Sequence, residues 1–304
     1  MIRYIPHIEI DKKRYDQCIS QSSNGLIYAF SWYLDSVSPG WDLLEYDNYT
    51  AVMPLPNRKK FGIYYIFTPH YVQQLGVFGD DTNNKLLQEF IKNIPRKFRL
   101  IELKFNEKNT ITKNKSLSIR KNFLLKIETD YSVIVNNYHR NCLRNIKKAE
   151  NAGLHSGKTI QSDEFSRFIY NNLREQIKDL EHKDLELLEK ITSEVIRRNM
   201  GEIACVYDEK DRLCAAGSFL YSRERLIFSV CASSSEGLKQ QAMYYLVDQQ
   251  IRRYAEKYSV LDFSGSEIKG IAYFNSTFGA EAVSYPFLEI NRLPLVIRMI
   301  TGKI

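Results

Sequence analysis

The chain has 304 residues, a formal net charge of +7, 44% hydrophobic and 12% aromatic content. This is enough apolar material for two cores, and it excludes an intrinsically disordered chain. Phe61 to Gly79 lacks formal charge but holds Pro69, His70, Gln73 and Gln74, which are unfavourable in hydrocarbon, so it reads as buried strand and loop rather than a membrane span.

The N-terminal MIRYIPHIEIDKKRYD has no apolar core of the signal-peptide kind, so export by that route is not expected. Asp11 is placed to cap a helix through about Gln21, and Ser31 to Ser36 is a second short helix with Trp32 and Tyr33. WDLLEYD, YTAVMPLP and FGIYYIFTP are strand-forming runs between short polar breaks. Asn83 to Asn93 returns to helical spacing before the strand FRLIELKF. From Lys92 to Lys126 eleven Lys and Arg face Glu102 and Glu107, a local +9 that leaves −2 for the rest of the chain. Such a belt suits RNA, an anionic lipid intermediate or a phosphorylated sugar, while Asn106 to Ser118 within it also reads as a solvated hairpin loop.

The second half repeats the order of the first. Asp130 is expected to cap a helix of roughly 22 residues, with Ile134, Tyr138, Cys142, Ile146 and Ala149 on one face and Arg140, Arg144, Lys147 and Lys148 on the other, until Gly153 stops it. Helices from about Asp163 and His182 precede three strands, Glu202 to Tyr207, Leu213 to Tyr221 and Leu226 to Ala232. A long helix from Leu238 to Lys257, a strand Val260 to Phe263, a short helix near Ile271 and a strand Glu281 to Ile290 follow. The recurring order predicts two α/β domains, 1–129 and 130–304. The cysteines at 18, 142, 205, 214 and 231 are odd in number and form no CxxC pair. Reduced, mostly buried thiols follow, with neither a disulfide framework nor a zinc site, and so does a cytoplasmic location.

Three stretches carry a family resemblance. NCLRNIKKAENAGL (141–154) resembles the Fem-type helix rich in Arg, Asn and Lys that ends at Ala-Gly. PHYVQQLGVF (69–78) resembles the Pro and Gln-Gly segment of the N-terminal half, and FSGSEIKGIAYFNSTFGAE (263–281) the closing Gly-Ser and Phe-Gly-Ala block. Together they resemble the acyl-CoA N-acyltransferase superfamily, the GNAT fold, and particularly its Fem-type peptidyltransferase branch. The resemblance implies an α/β (α+β) chain of tandem GNAT-like domains, each a mixed, mostly antiparallel sheet flanked by helices.

It also implies acyl transfer to an amine on a small or cell-envelope precursor molecule, with acetyl-CoA or another acyl-CoA as donor and no metal. Positioning and one base of tuned pKa suffice for that chemistry, so the lack of a GxSxG elbow, an HExxH or a Ser-His-Asp set is compatible with it. Strand, small-residue loop and helix N-terminus recur at Ser233, Ser234, Ser235, Gly237, Leu238 and Lys239, which is suited to a donor phosphate. The single glycine and Glu236 depart from the family's spaced glycines, and a plain strand-to-helix turn with a serine cap is the alternative.

Asp262 and Glu267 are candidate bases or amine ligands, with an exposed charge or a cap as the alternative for each. Aligning the Phe278-Gly279 pair with the family's Gly-Phe puts Phe274 where the family often has an acidic Tyr, with Tyr273 one position earlier as a catalytic candidate or a buried structural ring. The Phe-Lys pair that faces tRNA in Fem-type enzymes is here Phe274-Asn275, so a cation is missing. Tyr71, Gln73 and Gln74 fall in a segment near the acceptor cleft in the resemblance, or form a turn that satisfies backbone groups. Two rival functions stand beside the CoA reading: a Fem-type aminoacyl transferase using aminoacyl-tRNA, and a non-catalytic binding module on the same scaffold.

Overall fold

The computed structural model describes residues 1–80, 82–112, 115–174, 181–265 and 267–294. The chain divides into two compact units: Met1–Arg120 with the stretch from Ser284, and Lys121–Val283.

The first unit contains β1 (Ile2–Ile5), α1 (Lys12–Gln21), α2 (Ser31–Val37), β2 (Asp42–Tyr46), β3 (Ala51–Leu55), β4 (Asn57–Lys60), β5 (Ile63–Phe67), β6 (Phe78–Gly79), α3 (Asn84–Lys92) and β7 (Phe98–Lys104). The helices start where short polar side chains occupy orphan amides. The Asp11 side chain accepts from the Arg14 amide, and Asn83 from that of Leu86. Strands β1-β2-β3-β6 form one antiparallel sheet. In a second sheet β4 pairs antiparallel with β5, β5 parallel with β7, and β7 antiparallel with the last strand, β14 (Glu281–Asn291). The Glu289 amide of β14 donates to Ser116. β14 thus lies beside the start of β8 (Leu117–Lys126), and β7 and β8 do not form the expected hairpin. The connection is solvated at Lys108, Thr110, Thr112 and Lys115 but anchored at its start. Asn106 and Asn109 are buried, and their amides donate to Leu75 and Val77 carbonyls at 3.0 and 2.9 Å. Lys113, counted in the basic belt, lies outside the described residues.

The second unit continues β8 and holds α4 (Tyr131–Val135), α5 (Arg140–Asn151), β9 (His155–Ser156), α6 (Ser162–Leu173), α7 (His182–Arg197), β10 (Gly201–Tyr207), β11 (Leu213–Ser222), β12 (Arg225–Ser233), α8 (Ser235–Gln240), α9 (Ala242–Tyr254), β13 (Val260–Asp262) and α10 (Lys269–Thr277). Its strand order is β8-β13-β12-β11-β10-β9, antiparallel except for β12 and β13. A parallel pair needs a crossover, which α8 and α9 supply.

Two long helices expected from the sequence are each broken in two. Between α4 and α5 the adjacent Asn136 and Asn137, whose side chains compete for backbone groups, coincide with a turn. The His139 amide is drawn out to the Thr277 carbonyl at 2.8 Å. The apolar stripe survives the break, because Ile134, Tyr138, Cys142, Ile146 and Ala149 all enter the core. The second helix starts at Ser235 rather than Leu238 and breaks at Gln241. That residue adopts a left-handed conformation (φ 65°) and its side-chain amide donates to the Leu238 carbonyl at 3.1 Å, closing α8 as a C-cap would.

Candidate functional site

β12 and β13 pair only over Arg225–Ile227 against Val260–Asp262. Past Asp262 the chain turns through Ser264 and Gly265, both at positive φ, and β12 runs on to Ser233 with no strand on that side among the described residues. An open α/β sheet offers its ligand crevice at the carboxyl ends of such strands. Here the crevice is a cavity of about 510 Å³, within the usual range for small-ligand sites. Phe228 to Ser233 of β12 form one wall. Gly237, Leu238, Gln241, Met243 and Tyr244 come from α8 and α9, Phe263 to Gly265 from the turn, Gly270, Ile271, Phe274 and Asn275 from α10, and Asn172 and Leu173 from α6.

The pairing stops where a polar cluster fixes the end of β13. Asp262 is buried, and its carboxylate accepts from Arg225 at 2.6 Å, Asn122 at 3.0 Å and the Ser264 amide at 2.8 Å. A carboxylate so engaged is an anchor for the turn at Ser264 and is poorly suited to take a proton from an amine. Glu267 is exposed and does not line the cavity. Tyr273 is 54% exposed, so it is not a buried structural ring. Its hydroxyl is 3.4 Å from Asn141 of α5, on the side of α10 away from the cavity lining.

Of the loop Ser233 to Lys239, the structure brings Ser233, Gly237 and Leu238 to the cavity, together with Phe274 and Asn275. Ser234 caps α8, its hydroxyl accepting from the Gly237 amide at 3.1 Å. Ser235 and Lys239 are not lining residues; Lys239 lies 3.5 Å from Glu236 in an exposed pair. Gly237 is fixed by packing: a Cβ there would lie 2.0 Å from the Cys214 carbonyl oxygen, so no other residue lets α8 approach β11 this closely.

Tyr71, Gln73 and Gln74 belong to the other unit, in the segment between β5 and β6. Tyr71 has φ 62° and its carbonyl accepts from the Tyr33 hydroxyl at 2.6 Å. Gln74 is buried, with Oε1 accepting from the Glu107 amide at 3.3 Å. The Nε2 atoms of Gln73 and Gln74 are buried without a partner.

Two further residues matter here that were not singled out from sequence. Tyr244 packs between Phe274 and Phe278, with centroids at 4.7 and 5.6 Å; its spacing on α9 reads only as core. Ser264 has a buried hydroxyl with no hydrogen-bond partner, as does the amide nitrogen Nδ2 of Asn275. Burial pushes the Cys231 thiol, in the β12 wall, up to about 12, so it is not a nucleophile at neutral pH. Cys18, Cys142, Cys205 and Cys214 are free, buried and likewise shifted upward.

No protein-family model matches the sequence, and no curated protein matches it. Solved structures do. FemX superposes with a TM-score of 0.67 at 11% identity, over 99% of this chain and 100% of that one. A tandem GNAT protein from the clavulanic acid biosynthesis pathway gives 0.54 at 10% identity, over 97% and 99%. L-PGS from Bacillus licheniformis gives 0.53 at 11% identity, over 96% and 97%. At these identities the likeness establishes the fold. The chain has a GNAT-like fold, with large, mostly antiparallel sheets flanked by helices. Among the described residues no helix is long and apolar enough to cross a membrane.

Proposed function

We propose that the protein transfers an acyl group from a CoA thioester to an amine of a small or cell-envelope precursor molecule, with the cavity between β12 and β13 as the donor site. The observation that carries this is the separation of the two parallel strands after Ile227 and Asp262. It leaves one edge of β12 without a strand partner, where an amide-bearing chain such as the donor's arm can add backbone-type hydrogen bonds. The phosphate end of the donor falls to Ser233–Lys239, where Ser234 engages the Gly237 and Leu238 amides and leaves those of Ser235 and Glu236 for the ligand. In the reaction the amine nitrogen attacks the thioester carbon. The C–S bond breaks as the C–N bond forms, and the proton lost by the amine goes to the departing thiolate. Tyr244 is the phenol in the cavity lining and the group we assign to deliver that proton. Asn275 and Ser264 are placed to donate to the carbonyl oxygen as charge develops on it. Both units are assigned as GNAT-like; they approximate the expected 1–129 and 130–304 except that the stretch from Ser284 belongs with the first, and we assign the donor site to the second and the site of action to the cytoplasm.

The experiment is a melting curve with acetyl-CoA and octanoyl-CoA, followed by turnover against a panel of amines. Binding to the native state alone must raise the unfolding temperature; no shift with either thioester overturns the CoA assignment. One observation favours a tRNA-borne aminoacyl donor instead. Arg140, Arg144, Lys147 and Lys148 are all exposed on α5 and, among the described residues, none is in an ion pair with a carboxylate. Titration of tRNA at low and near-physiological salt decides it: affinity that falls steeply with salt and is lost in an Arg144→Glu, Lys148→Glu variant supports that donor.

A further inference from the structure

The chemistry of the cavity wall narrows what can sit in it. Among the described residues, none that lines it carries a formal charge. The wall is built from rings and aliphatic chains, among them Phe228, Val230, Met243, Tyr244, Phe263 and Ile271. Of the polar side chains in the lining, which include Asn172, Ser229, Ser233, Gln241 and Tyr244, two present buried atoms that lack a partner: Nδ2 of Asn275, a residue only 2% exposed, and the hydroxyl of Ser264. A buried donor left unpaired destabilises the free protein, and native structures keep such groups where a ligand completes them. Asn275 is held in place by its backbone, in a helix whose last residue, Thr277, and C-cap, Phe278, are fully buried. Ser264 is held by its amide bond to Asp262 and by its left-handed backbone.

We infer that the group seated in this cavity is an uncharged, predominantly apolar acyl chain, whose carbonyl oxygen accepts a hydrogen bond from Asn275 Nδ2. This rests on the cavity being the donor site. It excludes cationic aminoacyl groups of the lysyl kind and dicarboxylic acyl groups, because a charge there would be desolvated with no counter-charge. It assigns Asn275 as the specificity-determining residue, a neutral donor where a lysine would bring a charge.

Octanamide and 7-aminoheptanamide test it, since they share a primary amide and differ only in a terminal methyl against a terminal ammonium. With the full chain, octanamide should raise the unfolding temperature, and affinity along the hexanamide, heptanamide, octanamide series should rise about fourfold per methylene. The cationic analogue should bind roughly a hundredfold or more weakly. Asn275→Leu removes an unpaired amide and keeps its approximate size. It should raise the unfolding temperature of the free protein while weakening octanamide about tenfold, and Ser264→Ala should act in the same sense. Equal binding of the two amides, or affinity indifferent to chain length, overturns the inference; so does an Asn275→Leu protein that melts lower than the parent.

Thioesters separate this result from the donor assignment. If octanamide binds as described and octanoyl-CoA does not, the CoA donor is wrong and the apolar acyl site stands. If octanoyl-, succinyl- and β-alanyl-CoA bind equally, the CoA donor stands and the inference falls.

Discussion

Among the described residues each unit contains a parallel strand pair, β5 with β7 and β12 with β13, and the two pairs end differently. In the first unit the chain fills its own gap. Leu75 bridges to Phe105 and its amide donates to Lys104 at 2.9 Å, while Thr68 accepts from the Lys104 amide at 2.9 Å and Gln74 from that of Glu107. In the second unit β13 ends at Asp262 and among the described residues nothing of the kind returns, and a cavity lies there. The same topological device is plugged in one unit and open in the other; both ends hold unpartnered buried donors, Gln73 and Gln74 Nε2 at the plug and Asn275 Nδ2 and the Ser264 hydroxyl at the open end, and those of the open end belong to residues that line the 510 Å³ cavity. Size does not make this distinction. The first unit has a larger cavity, about 750 Å³, but its lining includes Asp80, Lys85 and Glu89 and, among the described residues, no buried unpartnered side-chain atom.

The largest expected effect comes from unpairing the anchor of the open end. Arg225→Met leaves the Asp262 carboxylate buried without its cation and should destabilise by about 3–5 kcal/mol in denaturant unfolding. Lys85→Met, at the wall of the other cavity, should stay within about 0.5 kcal/mol. Similar values for both would remove the claim that Asp262 and Arg225 set the strand end. Gly237→Ala forces α8 away from β11 and should lose about 1–3 kcal/mol. If it melts like the parent, the close approach at Cys214 is not what positions this wall.

Much of this was legible in local sequence. Asp11, Asn83, Asp130 and Ser234 cap their helices as short polar residues do, and most strands lie within a residue or two of their alternating runs. What was lost depends on distant partners. The helix break before His139 follows a bond to Thr277, and the insertion of β14 beside β7 separates elements far apart in sequence. Asp262 looked like a base because strand-end carboxylates often are; its Arg225 and Asn122 partners lie 37 and 140 residues away. Asn275 stood out beside Phe274, but only the fold shows its amide buried and unpaired, and Tyr244 is indistinguishable by spacing from the core residues around it.

A smaller effect tests the plug itself. Thr68→Val deprives the Lys104 amide of its acceptor and should destabilise by about 1–2 kcal/mol. No loss would mean that the segment after β5 is a passive loop, which would weaken the contrast. The smallest effect concerns reactivity. With Cys231 held up near 12, roughly one thiol in ten thousand is ionised at pH 8, so alkylation should be slow and rise about tenfold per pH unit below that value. Octanamide should protect it without protecting Cys18, which lines the other cavity; rapid labelling at neutral pH would contradict the burial assigned to β12.

The most direct measurement blocks each cavity in turn and asks which one holds the donor. A Cβ on Gly270 meets nothing within 4 Å, so Gly270→Trp can be tolerated by the fold while narrowing the cavity of the second unit, and Leu86→Trp does the same for the first. Calorimetric titration of octanoyl-CoA should show at least a tenfold loss of affinity for Gly270→Trp and parent-like binding for Leu86→Trp. Parent-like binding by Gly270→Trp with loss in Leu86→Trp would place the donor in the other unit and contradict the account.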